Sequence, residues 1–94
     1  MPDPSPAVTV EVSMYPLRPD VEPPIIAFIK DLRCQPGIKV VTNAMSTQVT
    51  GRFSDVHQAL GTCMAAGLEG ETTVVFVTKT LNLALAIDET PNLD

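Results

Sequence analysis

Side chains that can form hydrogen bonds are concentrated at two points of this 94-residue chain, where apolar segments end. The first point is the segment Val12-Ser13-Met14-Tyr15-Pro16-Leu17, with Glu11 just before it. The second is the segment Thr42-Asn43-Ala44-Met45-Ser46-Thr47, which continues to Gly51. Neutral hydroxyl and amide groups beside a carboxylate suit the recognition of a small polar ligand in an otherwise apolar pocket.

Each of these side chains has a possible role in ligand binding and a simpler structural interpretation. Ser13 could bind a ligand or belong to an ordinary polar sheet face, and Glu11 could accept from an amine or be a solvated or intersubunit ion-pair residue. Asn43 could be only a turn residue. Met45, like Tyr15, could cover a ring face, but methionine is also a common core filler. Only the convergence of these residues favours binding.

The chain offers little for catalysis. His57 is the single histidine and falls off the apolar stripe of its predicted helix, and Asp31 and Asp55 are predicted to be helix-surface charges. Cys34 and Cys63 lack metal-ligand spacing and are interpreted as small buried hydrophobic residues. We therefore predict that the protein is not an enzyme, with no catalytic residue, no metal site and no cofactor.

Charge and hydropathy narrow the partners and the compartment. The net charge of −5 disfavours nucleic acid, because phosphate binding needs a basic patch. No apolar run approaches the roughly 20 residues of a membrane span, and the proline-rich start lacks the basic and apolar regions of a signal peptide. We predict a cytoplasmic protein that binds neither nucleic acid nor membrane.

Hydrophobic periodicity predicts the elements of the first half. Residues 7–15 alternate apolar and polar, which predicts a strand with one dry face that Pro16 ends. Helical spacing with a Pro-Pro start predicts a helix over 21–34. Two short strands over 38–43 and 45–51 are best interpreted as a hairpin, with one long bent strand as the alternative.

The second half predicts a helix that has Ser54 as its N-cap and Phe53 as a staple, and that ends between residues 66 and 70. A valine-rich strand follows over 72–80. Residues 81–87 remain apolar; they could extend this strand, form a short helix or pack on a neighbouring subunit. We predict flexible segments at 1–6 and 88–94.

The resulting order, β-α-β-β-α-β, is the ferredoxin-like split βαβ pattern. It predicts a single α+β domain over 1–94, a sandwich of one four-stranded antiparallel sheet and two helices on one face. The other face, with Thr9, Glu11, Ser13 and Tyr15, is then bare in a monomer. Such a face must bind something, be polar enough for water, or meet another copy.

The two polar segments quoted above, together with Gly51 before the second helix and the valine-rich last strand, resemble the thiamine-binding family of YkoF-like small domains. This resemblance spans roughly residues 8–80. It implies a homodimer or homotetramer that binds thiamine or its hydroxymethylpyrimidine moiety. The long proline-rich start and the apolar segment 81–87 depart from the family pattern and put the assembly mode in question.

The combined prediction is a non-catalytic protein that binds a thiamine-like small molecule. The predicted ligand-binding residues all lie at the two polar segments: Glu11, Ser13, Tyr15, Asn43, Met45, Ser46 and Thr47. The sequence leaves two alternatives open. One is a structural oligomerisation module without a ligand, and the other is a cofactor-independent enzyme similar to the dimeric α/β-barrel oxygenases.

Overall fold

A computed structural model describes residues 4–93 of the chain. The predicted order is confirmed, and the elements follow one another as β1 (Ala7–Pro16), α1 (Glu22–Arg33), β2 (Ile38–Thr42), β3 (Thr47–Arg52), α2 (Phe53–Leu68) and β4 (Val74–Leu81). The predicted flexible segments include residues 1–3 and 94, which lie outside the described residues.

The four strands form one antiparallel sheet in the order β2-β3-β1-β4. The alternation of β1 decides which face is dry: Val8, Val10, Val12 and Met14 point to the helices and are buried. They pack with Phe28 and Leu32 of α1, and with α2 through its buried side chains Val56, Ala59, Leu60 and Cys63. The predicted ferredoxin-like α+β sandwich is confirmed.

Helix α1 begins and ends one residue inside its predicted bounds. Pro23 lies in the first turn, where its missing N–H costs nothing, and the Cys34 N–H caps the last turn on the Asp31 carbonyl. Gly37 then turns the chain into β2 at φ +78°, a conformation that favours glycine. The prediction that Cys34 is buried is wrong, because its side chain at the helix end is exposed.

Helix α2 begins earlier than predicted. Its N-cap is Arg52, and no side chain there makes a capping hydrogen bond, so the predicted Ser54 cap is wrong. Phe53 is the first helical residue, and its ring stacks on His57 at 5.3 Å between centroids. The chain passes directly from β3 into the helix, so there is no room for a separate capping turn.

Residues 82–88, which we call the strap, cross the open face of the sheet. The Thr9 hydroxyl donates to the Leu83 carbonyl (2.7 Å) and accepts from the Leu85 N–H (2.9 Å). At the far side, Asp88 pairs with Lys39 of β2. The strap therefore starts at β4 and passes over β1 and β3 to β2. Beyond Leu81, the segment neither extends the strand nor forms a helix, and its packing on a neighbouring subunit stays a prediction.

Thr9 is only 3% exposed because the strap lies on it. The predicted bare face is thus partly covered by the chain itself. The uncovered part carries Tyr15, Val75 and Val77, which are 53%, 43% and 51% exposed. Within residues 4–93, neither helix is long and apolar enough to cross a bilayer.

Candidate ligand-binding site

Strand β1 is longer than its neighbour β3, and this difference creates a notch in the sheet. Pairing between β1 and β3 stops at Val12↔Thr47, whereas β1 continues alongside β4 until Pro16↔Val74. Beyond Val12, the β3 side of β1 therefore faces open space. A free strand edge offers backbone N–H and C=O groups to a ligand.

The notch has a volume of about 280 Å³ and brings most of the predicted residues together. Its apolar wall on the helix side consists of Ile25, Phe28 and Ile29 of α1. The rest of its lining includes six of the seven predicted ligand-binding residues, all polar except Met45: Ser13, Tyr15, Asn43, Met45, Ser46 and Thr47. The seventh, Glu11, lies beside the notch rather than in it. Apolar walls with a few convergent polar groups are typical of small-molecule sites.

Asn43 organises the loop that forms one side of the notch. Its Oδ1 accepts hydrogen bonds from the backbone N–H of Met45 (2.8 Å) and Ser46 (3.0 Å), and its own N–H donates to the Ser46 carbonyl (3.0 Å). These contacts form an Asx turn. The side-chain oxygen is therefore occupied, and what Asn43 can offer a ligand is the pair of N–H donors on Nδ2.

Thr47 faces the helices and is 4% exposed, and its hydroxyl lies 3.0 Å from that of Thr42. One hydroxyl donates to the other, so a single hydroxyl hydrogen of this pair remains for a ligand. Ser13 is half-buried, and no residue within 4–93 forms a hydrogen bond with its hydroxyl. Ser13 can therefore both donate and accept at the notch.

Glu11 is connected to the notch by a chain of side-chain contacts. Gln48 Nε2 donates to Ser46 Oγ (3.0 Å), Ser46 Oγ donates to Glu11 Oε2 (3.0 Å), and Lys79 Nζ lies 3.2 Å from Glu11 Oε1. The Ser46 hydroxyl, and then the Lys79 ammonium, hold the pKa of Glu11 below its ordinary value of 4.5. Glu11 is therefore ionised, and its carboxylate holds the Ser46 hydroxyl in place by accepting its hydrogen bond.

Tyr15 and Met45 flank the opening of the notch. Tyr15 is half exposed at the end of β1, and Met45 is 87% exposed at the loop tip. The prediction that either could cover a ring face is compatible with these places. The interpretation of Met45 as core filler is wrong, because its side chain is almost wholly in solvent.

The sequence did not point to Gln48 and Lys79, or to the α1 residues that wall the notch. Glu11, Gln48 and Lys79 are neighbours only through the strand register Glu11↔Gln48 and Glu11↔Lys79. The alternation within one strand does not reveal its register with a distant strand. It indicates only that the polar side chains of a strand share one face of the sheet.

A second cavity, of about 370 Å³, lies between α1 and α2. Phe28 and Cys63 lie deep in it, while Arg18, Asp31 and Glu71 line it with ionisable groups. Burial raises the pKa of the Cys63 thiol, and Asp31 adds to this effect, so the thiol is a poor nucleophile. The notch is the better candidate because neutral donors and acceptors of fixed geometry converge there.

The comparisons with known proteins find matches among solved structures. No protein-family model and no curated protein matches the chain. A hypothetical protein of Methanocaldococcus jannaschii is 25% identical, with a TM-score of 0.72 over 93% of this chain and 88% of that one. The class that this fold and site define is therefore a ferredoxin-like α+β domain with a ligand-sized notch.

Two further structures share the fold at lower identity. A Thermotoga maritima protein, described as a "putative thiamine biosynthesis/salvage protein", is 17% identical, with a TM-score of 0.67 over 88% of this chain and 92% of that one. A Bacillus cereus domain of unknown function, DUF77, is 18% identical, with a TM-score of 0.63 over 89% and 86%. These likenesses extend over nearly the whole chain and concern the fold.

Proposed function

We propose that this protein is a non-catalytic, cytoplasmic binding protein of the thiamine-binding, YkoF-like type, and that the notch holds thiamine or its hydroxymethylpyrimidine moiety. The observation that carries the proposal is the convergence of six predicted residues on one notch of about 280 Å³. The description of the Thermotoga maritima protein, which shares the fold, supports thiamine as the ligand to test first.

The free hydrogen-bonding groups of the notch define how an aminopyrimidine would lie. The Asn43 Nδ2 donors would face a ring nitrogen, since Oδ1 is occupied by the loop. Ser13 would accept from the exocyclic amine. Phe28 and Ile29 would contact one edge of the ring, and Tyr15 would cover its exposed side.

The size of the notch favours a single ring. Its volume of about 280 Å³ lies just below the roughly 300 Å³ at which drug-sized pockets begin. The pyrimidine would fill it, and the thiazolium part of thiamine would extend outwards. Affinity should therefore be similar for thiamine and for hydroxymethylpyrimidine.

Isothermal titration calorimetry of the wild-type protein with both compounds tests the proposal. Ser13→Ala should weaken both affinities about tenfold, the loss expected for a hydrogen bond that leaves a polar ligand atom unpaired. The matched control is Thr78→Ala, an exposed strand hydroxyl that lines none of the described cavities. Absence of heat with both compounds would refute the proposal.

Assembly is the second candidate function, and the exposed apolar side chains Tyr15, Val75 and Val77 on the open face favour it. We propose that the protein forms a homodimer or homotetramer through this face or through the edge of β4. In the purely structural version, the protein would assemble without any ligand. Sedimentation analysis combined with the calorimetry separates the two versions.

A further inference from the structure

A third cavity, of about 550 Å³, lies between the strap and the open face of the sheet. It is separate from the notch, and two kinds of side chain line it. The apolar ones are Leu81, Leu85 and Ile87; the polar ones are Thr9, Glu11, Gln48, Lys79 and Thr80. We propose that this cavity is a second binding site, and that its ligand is a small zwitterion with an apolar side chain, of the α-amino acid class.

The strap fixes one wall of this cavity. Two hydrogen bonds join the Thr9 hydroxyl to the Leu83 carbonyl and the Leu85 N–H, and the Asp88–Lys39 ion pair holds the strap's other end. The strap carries the side chains of Leu85 and Ile87 over the sheet. The cavity therefore depends on a piece of chain that is tied at both ends but lacks strand pairing along its length.

The charges on the sheet determine the class of ligand. Glu11 and Lys79 are opposite each other in the register, with 3.2 Å between Oε1 and Nζ, and both side chains remain accessible to solvent. A ligand with a single charge would be attracted by one of these groups and repelled by the other. A ligand with an ammonium beside a carboxylate pairs with both, the ammonium at Glu11 and the carboxylate at Lys79.

The apolar wall selects among zwitterions. Leu81, at the end of β4, and the strap residues Leu85 and Ile87 offer branched aliphatic surface next to the charged pair. A branched aliphatic side chain of the ligand would cover this surface and remove it from water. Leucine is the simplest probe, whereas glycine carries both charges but has no side chain to bury.

The experiment is an NMR titration of the ¹⁵N-labelled full-length protein with L-leucine, glycine, 4-methylpentanoate (carboxylate only) and 3-methylbutylamine (amine only). Leucine should give saturable shifts at the amides of Gln48, Lys79 and Leu85. Each comparison compound should bind at least about tenfold more weakly, since it lacks one charged contact or the apolar one.

Two variants complete the test. Lys79→Gln should weaken leucine binding about tenfold, because it removes the group that pairs with the carboxylate. Lys30→Gln, an exposed lysine on α1, is the matched control and should bind leucine like the wild type. Lys79 is exposed at the edge strand, so this variant should fold, which circular dichroism verifies.

The proposal would be overturned by no saturable shift with leucine, by equal binding of a singly charged compound, or by equal loss of binding in both lysine variants. Shifts confined to the loop at Asn43 would also overturn it, because they would place leucine in the notch. The proposal is independent of the thiamine-like function, since pyrimidine binding is followed at that loop and leucine binding at the strap.

Discussion

The Ser46 hydroxyl donates a hydrogen bond to the Glu11 carboxylate over 3.0 Å, across 35 positions of sequence. This contact joins the loop of the notch to the middle of β1, where Lys79 approaches the same carboxylate. Glu11 thus lies between the notch and the cavity under the strap. Its carboxylate orients the Ser46 hydroxyl on one side and forms an ion pair with Lys79 on the other.

The first prediction concerns the pKa of Glu11. Ser46→Ala removes the largest single cause of its depression, so the pKa should rise towards 4.5 while remaining below that value because of Lys79. The side-chain carboxyl ¹³C shift of Glu11, followed by NMR against pH, measures this change. An unchanged titration would show that the hydrogen bond does not persist in solution.

A dependence of stability on pH follows from the same depressed pKa. Glu11 binds its proton more weakly in the folded state, so its contribution to stability is complete above the unfolded pKa and is lost as pH falls through the folded pKa. In Ser46→Ala the two pKa values lie closer together. The variant's unfolding midpoint in urea should therefore fall less steeply below about pH 4.5 than that of the wild type.

The second prediction separates the two roles of Asn43. Asn43→Asp keeps the oxygen that accepts from Met45 and Ser46, but replaces the Nδ2 donors with a second acceptor oxygen. It should weaken hydroxymethylpyrimidine binding more than tenfold while the loop stays ordered; ~1.4 kcal/mol corresponds to a factor of ten. Calorimetry measures the affinity, and the amide shifts of residues 44–46 report on the loop.

Asn43→Ala is the companion variant. It removes the donors and the loop acceptor together, so it should weaken binding more than tenfold without unfolding the domain, and it should also disturb the loop amides, as two backbone N–H groups lose their acceptor. If Asn43→Asp binds like the wild type while Asn43→Ala does not, the loop geometry matters and the Nδ2 donors do not.

The element order was predictable because each segment has one dominant period. The alternation of β1 and the helical stripe of α2 decide which side chains are buried, and those side chains form the core. The convergence of Ser13 and Asn43 was predictable in outline, because Ser13 lies near the end of β1 and Asn43 directly follows β2. The notch that they share was not predictable. It exists because β1 extends beyond the end of β3, and where β3 ends along β1 depends on the register Val12↔Thr47.

The strap was beyond prediction for a different reason. At its two hydrogen bonds to the Thr9 hydroxyl, the strap contributes only backbone groups, so these contacts leave no side-chain pattern in residues 83–85. The apolar composition of the segment is equally compatible with a strand, a helix or an interface. The only side chain that takes part in these two contacts is that of Thr9, which lies between Val8 and Val10.

The third prediction concerns the open face. Val77→Glu places a charge among the exposed side chains of Tyr15 and Val75 and should disrupt assembly through this face, because a buried unpaired charge is costly. Thr78→Glu is the matched control, since Thr78 is also exposed but points to the opposite face of β4. Sedimentation velocity should show a smaller species for Val77→Glu only. Equal behaviour of the two variants would contradict assembly through the open face and leave the edge of β4 as the interface to test.

The fourth prediction tests the strap through Thr9→Val. Valine has nearly the shape of threonine and favours strands, so the sheet should keep its stability. The strap loses two hydrogen bonds, to the Leu83 carbonyl and from the Leu85 N–H, each contributing about 1 kcal/mol. Hydrogen exchange of the Leu85 amide should therefore accelerate about tenfold or more, while amides in β1 exchange as in the wild type.

Asp88→Asn provides the comparison at the other end of the strap. It weakens the pair with Lys39, whose hydrogen bond to Asp88 is the main reason that the pKa of this carboxyl lies below its ordinary 3.8. Because both side chains are half exposed, this change should accelerate Leu85 exchange less than Thr9→Val does. The opposite ranking would mean that the ion pair, rather than the buried threonine, holds the strap on the sheet.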